Sequence, residues 1–183
     1  MPPEATDSLT PAGRPRLSAP ARFEPGRHDV SAFDCGSDAQ TGWLRRIART
    51  AQEARTAVVY VVTPEGDDRV VAFYALAAAS VAQTDAPDRL RRAAGHSPIP
   101  VILLARLGVD RGWQGRGLGA ALVKDAMLRA LAAAGTVGAR ALLIHAESSA
   151  ARDFYLGLAE FDPSPTDALH LVLLMSDIEV ALG

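Results

Sequence analysis

Apolar positions along the chain alternate between short β-branched runs and longer stripes at helical spacing. Thr56 to Thr63 is a continuous apolar run, as expected of a buried strand. The polar turn Pro64-Glu65-Gly66-Asp67-Asp68 follows, so a hairpin partner is expected from Arg69 to Val81. Further strands are expected at Ile99 to Val109, Ala139 to Ala146 and Ala168 to Met175, with a short extended segment at Ser18 to Phe23. Ser37 or Asp38 is a cap signal for a helix to about Arg55, with Trp43, Leu44, Ile47 and Ala51 on one face. A short helix is expected over Pro87 to Ala94. A long one runs from about Gly117 to Ala133, turning Leu118, Leu122, Met127 and Leu131 inward and stopped by Gly135 and Gly138. Ser148 or Ser149 starts a brief helix to about Leu158, Pro163-Ser164-Pro165 interrupts, and Ser176-Asp177 begins a terminal helix. This order predicts an α/β fold, a mixed α+β sheet with helices on both faces.

Composition narrows the setting. The 183 residues are 49% apolar, enough for one core. Residues 1–17 are rich in Pro, Ala, Ser and Thr and read as a flexible tail, leaving residues 18–183 as a single domain. The net charge of −2 excludes a chain that is basic throughout, but not a basic patch. Lys124 is the one lysine, so the positive charge is arginine, which suits phosphate and also follows from a GC-rich genome. Cys35 is the single cysteine, so no intrachain disulfide can form. No run of about 20 apolar residues or signal-peptide core is evident, and a cytoplasmic location without membrane contact is expected.

The chemistry concentrates in Val109-Asp110-Arg111-Gly112-Trp113-Gln114-Gly115-Arg116-Gly117-Leu118-Gly119, between a strand and the long helix. Glycines let backbone approach a ligand closely, and a helix start offers free N–H groups to phosphate. No Lys followed by Ser or Thr comes after the glycines, so the loop is not a Walker A cradle. Gly115, Gly117 and Ala120 fit G-x-G-x-x-A of dinucleotide folds. However, Asp110 to Gln114 separates strand from glycine, and the acidic ribose partner about 20 residues on is missing.

The loop is better matched by Q/R-x-x-G-x-G/A, here Gln114-Gly115-Arg116-Gly117-Leu118-Gly119 after Leu107-Gly108-Val109. It resembles the acyl-CoA pyrophosphate loop of the GNAT acetyltransferase superfamily. That resemblance implies a mostly antiparallel central sheet with a splayed strand pair. It implies acetyl-CoA held by Leu107, Gly108, Val109, Gln114, Gly115, Arg116, Gly117, Leu118 and Gly119, with Ser149 and Phe154 alongside. A narrower likeness rests on Phe33-Asp34-Cys35-Gly36, Trp43-Leu44, Phe73-Tyr74-Ala75-Leu76, Ile99-Pro100-Val101, Arg106-Leu107-Gly108-Val109-Asp110, Phe154-Tyr155 and Pro163-Ser164-Pro165. Together these resemble the GNAT toxins of type II toxin–antitoxin systems, which acetylate the α-amine of aminoacyl-tRNA. The chain departs from them at Leu156 to Phe161, where the family has a shorter aromatic-Gly-Phe ending. The resemblance implies a ribbon-helix-helix antitoxin and a homodimer, and no metal.

The likeness makes Tyr155 the acid for the departing thiolate, with the Val109 backbone N–H or that of a near neighbour as oxyanion donor. For the amine, Glu147, His145 and water stand as alternative proton acceptors. An α-amine titrates near 7.7 to 8.0, so part of it is already neutral at pH 7. Two arginine groups, Arg45, Arg46 and Arg49, and Arg89, Arg91 and Arg92, are candidates for tRNA phosphates, with a plain solvated surface as the other reading. Other functions to weigh are acetylation of a metabolite or protein amine, and a CoA-binding module without turnover.

Overall fold

A single sheet of seven strands, in the order β1-β2-β3-β4-β5-β7-β6, organises the computed structural model, which describes residues 13, 15–92, 94–96 and 98–182. The strands are β1 (Ala21–Arg22), β2 (Val58–Val62), β3 (Ala72–Val81), β4 (Ile99–Val109), β5 (Ala141–His145), β6 (Asp162–Pro163) and β7 (His170–Leu174). All neighbours are antiparallel except β4 and β5. The helices are α1 (Asp38–Arg46), α2 (Ala48–Glu53), α3 (Asp88–Arg91), α4 (Leu118–Val137), α5 (Ser149–Leu156) and α6 (Met175–Leu182). Residues 1–12 of the expected tail lie outside the described residues, and Leu17 already bridges to Pro64. Among the described residues no helix is long and apolar enough to cross a membrane.

Both sheet faces are covered, which explains the unbroken apolar runs. Ala72, Tyr74 and Leu76 of β3 pack with Leu122, Val123, Ala126 and Ala130 of α4, joined by Tyr155 and Ile178. Phe73 and Ala75, pointing the other way, pack with Leu44, Ala48 and Ala51 of α1 and α2. Leu90 of α3 covers the far end of that second face against Val81 and Ile99.

Three local expectations are corrected. The helix expected to about Arg55 is two helices meeting at Ile47, whose φ of −112° bends the path. Its buried stripe is Leu44, Ala48 and Ala51, and Ile47 is 48% exposed. Arg55 then takes a left-handed φ of 58° just past the end, a place more often given to glycine. Gly135 does not stop α4: an Ala-rich turn carries the helix to Val137, and Gly138 caps it with its N–H on Ala134 O. The two-residue β6, Asp162–Pro163, reaches into the start of Pro163-Ser164-Pro165 and is too short to leave a periodic signal.

Strand β4 departs from regular pairing twice. Its register with β3 passes from Ala75↔Arg106 to Leu76↔Leu104, which leaves Ala105 as the extra residue of a bulge. The bulge reverses the alternation of sides: Ile102 and Leu104 face α4 before it, and Leu107 and Val109 face α4 after it. With β5, β4 pairs only from Ile102 to Leu104. Beyond Leu104 the two strands part, and the last five residues of β4 stay on β3 alone.

A polar network ties α4 across the sheet. Tyr74 donates its hydroxyl to Asp125, which also pairs with Arg129 at 2.8 Å. The Arg129 guanidinium stacks 4.0 Å over Tyr60 and donates to Pro20 O at 3.0 Å. Burial, then the bond to Asp125, raises the Tyr74 hydroxyl above its ordinary range, so it stays a donor.

Candidate functional site

The parting of β4 and β5 opens a cleft, and the chain leaving β4 builds one of its walls. Asp110 Oδ1 accepts from Gly112 N at 3.0 Å, starting a 3₁₀ turn over Arg111–Trp113. Its other oxygen accepts from Asp34 N at 3.1 Å, and Asp34 in turn pairs with Arg111 at 3.1 Å. The Gly36 N–H, followed by Arg111, holds the Asp34 carboxyl below its ordinary range. Gln114 folds back and donates Nε2 to both Cys35 O and Val109 O at 2.9 Å. Sequence reasoning grouped Gln114 with ligand-binding residues; its amide nitrogen is spent fastening the loop to the turn before α1.

The loop then runs Gly115, Arg116, Gly117 into α4. Gly115 and Gly117 have φ of +73° and +78°, a backbone that side chains adopt only under strain. A Cβ at either would meet nothing within 4 Å, so the space above them is open to a ligand. Gly117 is the N-cap of α4 and supplies no side-chain cap. The first N–H groups of a 20-residue helix therefore face the cleft with the positive end of its dipole. Such an end suits a phosphate.

These elements enclose a cavity of about 480 Å³. Leu107, Gly108, Val109, Gln114, Gly115, Gly117, Leu118, Gly119 and Phe154 all line it. Arg116 does not: it donates to Gly112 O at 2.8 Å and lies 5.0 Å over the Trp113 ring. Ser149 does not either, and the cap of α5 is Ser148, which accepts from Ala151 N at 3.1 Å. The opposite wall is Cys35, Ser37 and Gln40 at the start of α1, and Trp113, Ala120 and Glu147 complete the lining. Sequence reasoning gave Cys35 and Ser37 only a turn and a cap, because the contact that brings them here spans more than 70 residues of chain.

Past Leu107 the cavity narrows to a smaller one of about 140 Å³ lined by Arg106, Leu107, His145, Glu147, Phe154 and Tyr155, among others. Tyr155 is 8% exposed, edge-on to Phe154 and Phe161. Burial, with the Glu147 carboxylate adding, pushes its hydroxyl up to about 12. It therefore keeps its proton across the whole neutral range. On the far side lies a third cavity of about 530 Å³, with Trp43, Ile47, Ala57, Ala77 and Arg106 in its lining. Gln40 and Glu147 line all three.

His145 stacks on its cross-strand partner His170 at 3.8 Å between ring centres. Burial and then the neighbouring His170 lower its pKa, so it is neutral at pH 7. Arg45, Arg46 and Arg49 are exposed on α1 and α2, whose Ile47 and Ala51 border the third cavity. Arg49 pairs with Glu53 at 2.9 Å. Arg89 is turned away, held by Asp162 at 3.2 Å and Asp177 at 2.8 Å. Arg91 pairs with Asp88 of its own turn, and Arg92 is exposed beside it.

An anion cradle, a narrow acid-bearing passage and a second open pocket form a path suited to a two-substrate transfer. Comparison with known proteins agrees with that layout. Residues 37–158 match the acetyltransferase (GNAT) family. The chain is 46% identical over 166 residues to a tRNA-acetylating toxin of Mycobacterium tuberculosis, covering 91% of this chain and 97% of that protein. Among solved structures, AtaTR bound with acetyl-CoA superposes with a TM-score of 0.79 at 25% identity, covering 91% of this chain and 98% of that one. AtaT complexed with acetyl-methionyl-tRNAfMet shares the fold with a TM-score of 0.83 at 24% identity, over 92% of this chain and 100% of the other.

Proposed function

We infer from its membership that this chain, which belongs to the GNAT acetyltransferase family, transfers acetyl from acetyl-CoA to the α-amine of aminoacyl-tRNA and so acts as a toxin. The 46% identity to a tRNA-acetylating toxin over almost the whole of both chains carries this reading. The cleft supports it in detail.

The residues present fit acetyl-CoA. The uncapped start of α4, with open space above Gly115 and Gly117, suits its pyrophosphate. The edge of β4 freed beyond Leu104 offers backbone groups to an extended pantetheine arm, since strand alternation turns Leu107 and Val109 N–H towards the gap. That path ends at the small cavity beside Tyr155. The Val109 N–H, on the wall of the larger cavity, serves the carbonyl oxygen as it gains charge, and Tyr155, on the wall of the smaller one, protonates the departing sulfur. Because burial keeps its pKa near 12, Tyr155 holds the proton until the leaving thiolate, a stronger base than the thioester sulfur, demands it.

The tRNA approaches from the side of the third cavity. Arg45, Arg46 and Arg49, exposed on α1 and α2 near its lining residues Ile47 and Ala51 in the chain, serve the phosphates, with Arg106 in the lining itself, its guanidinium 5.7 Å over Trp43. Arg89 is committed to structural ion pairs and Arg91 pairs with Asp88, so Arg92 is the cation of the second group most open to RNA. A toxin of this kind is held by an antitoxin, here of ribbon-helix-helix type, and the chain works as a homodimer.

A cell-free translation extract tests the function. The protein arrests synthesis when acetyl-CoA is present and has no effect after acetyl-CoA is removed. Arrest independent of acetyl-CoA contradicts it.

A further inference from the structure

We propose that Glu147 and Gln40 together form the receptor for the acceptor amine, with Glu147 taking its proton. This inference rests on the acetyltransfer reading above and specifies what that site does to its second substrate.

Among the described residues, Gln40 and Glu147 alone line all three cavities, which places them where donor and acceptor sides adjoin. An α-ammonium brings three N–H donors and one positive charge. The junction offers it matching groups. The Gln40 side-chain oxygen is buried without a hydrogen-bond donor, an expensive state that a ligand N–H relieves. The Glu147 carboxylate uses one oxygen to accept from Ser37 Oγ at 2.6 Å, leaving its other oxygen for a ligand. Ser37 is also the N-cap of α1, accepting from Gln40 N at 3.2 Å. One hydroxyl thus fixes both the carboxylate and the start of the helix carrying the amide.

The other charged or titratable groups at this junction are Arg106 on β4, His145 on β5, Tyr155 on α5 and the Cys35 thiol. His145 is neutral and stacked on His170, and Tyr155 is a held acid, so Glu147 is the anionic base within reach. The ammonium gives one proton to Glu147, which passes it to solvent. The freed lone pair forms the C–N bond to the thioester carbon, and the C–S bond breaks. The sulfur takes the Tyr155 proton, and the second proton shed by nitrogen restores Tyr155.

The test is the pH dependence of kcat/KM from pH 6 to 8.5 for aminoacyl-tRNA and, in parallel, for an amino-acid amide. Wild type, E147Q, Q40L and S37A are compared, each with its Tm and its acetyl-CoA Kd. E147Q is expected to fall on the order of tenfold or more at pH 6 and to approach wild type as the amine, titrating near 7.7 to 8.0, becomes neutral by itself. Q40L raises the KM for both acceptors several-fold, and acetyl-CoA Kd stays within about twofold in both variants. S37A keeps the carboxylate but loses the hydroxyl that holds it, so its kcat/KM falls at every pH while the slope stays that of wild type and not that of E147Q. If the E147Q profile runs parallel to wild type for both acceptors, the receptor is overturned. If wild type leaves tRNA unmodified yet the two profiles diverge on the amide, the tRNA reading fails and the receptor stands.

Discussion

Ser37 Oγ donates to Glu147 Oε1 at 2.6 Å, joining the start of α1 to the loop after β5 across the gap between β4 and β5. The two residues lie 110 positions apart, and each lines the cavity beside the glycine loop. That contact ties together two residues of the cavity wall that the chain brings from opposite sides.

Removing the hydroxyl has a predictable cost. Ser37→Ala loses the cap of α1 and is expected to lower stability by about 1 kcal/mol, read from urea unfolding. Ser37→Asp keeps a cap acceptor but sets a second carboxylate against Glu147, so it should be less stable than Ser37→Ala, the reverse of the usual order at an N-cap.

Tyr155 gives a sharper expectation. Tyr155→Phe keeps the packing against Phe154 and Phe161 and removes the proton donor, so acetylation should fall about 10²-fold or more with acetyl-CoA binding retained. A folded-state pKa raised to about 12 also fixes a sign. Stability tied to the protonated hydroxyl is fully present below the ordinary value near 10 and is lost as pH rises from there through 12. Tyrosinate absorbance in the folded protein, compared with Tyr155→Phe, checks it: the difference should appear only above about pH 11.

The Asp125 network should matter to stability and not to chemistry. Asp125→Ala strips the buried Tyr74 hydroxyl of its acceptor and frees Arg129, which predicts a loss of about 1–3 kcal/mol by thermal unfolding. Acetyl-CoA Kd should be unchanged, because the glycine loop sits at the other end of the helix's first two turns.

The arginines divide by what already holds them. Arg45→Ala and Arg46→Ala should each weaken tRNA binding and reduce the slope of log K against log salt by about 1. Arg89→Ala should leave that slope alone and lower Tm, because its partners are Asp162 and Asp177.

Much of this was legible in the chain, for identifiable reasons. Ile99–Val109 was placed to the residue because prolines mark its start and the glycine loop its end. The strand-loop-helix passage announced an anion cradle because glycines and an uncapped helix start leave a local signature. The break at Ile47 was hidden, since its apolar spacing fits an unbroken helix and only packing against β2 and β3 decides the bend. The bulge at Ala105 was equally silent: one extra residue in an apolar run changes no composition, yet it turns Leu107 and Val109 towards α4. Gln40 gave no sign at all, because its place beside Glu147 follows from chain closure over a hundred residues.

The central claim is acetyl transfer to the α-amine of a charged tRNA. Its most direct measurement is mass spectrometry of the aminoacyl-adenosine released by nuclease after reaction of charged tRNA with acetyl-CoA. The account predicts an added acetyl group on the amino acid with wild type and almost none with Tyr155→Phe. An unmodified aminoacyl-adenosine with wild type, alongside ready acetylation of free small amines, would contradict it.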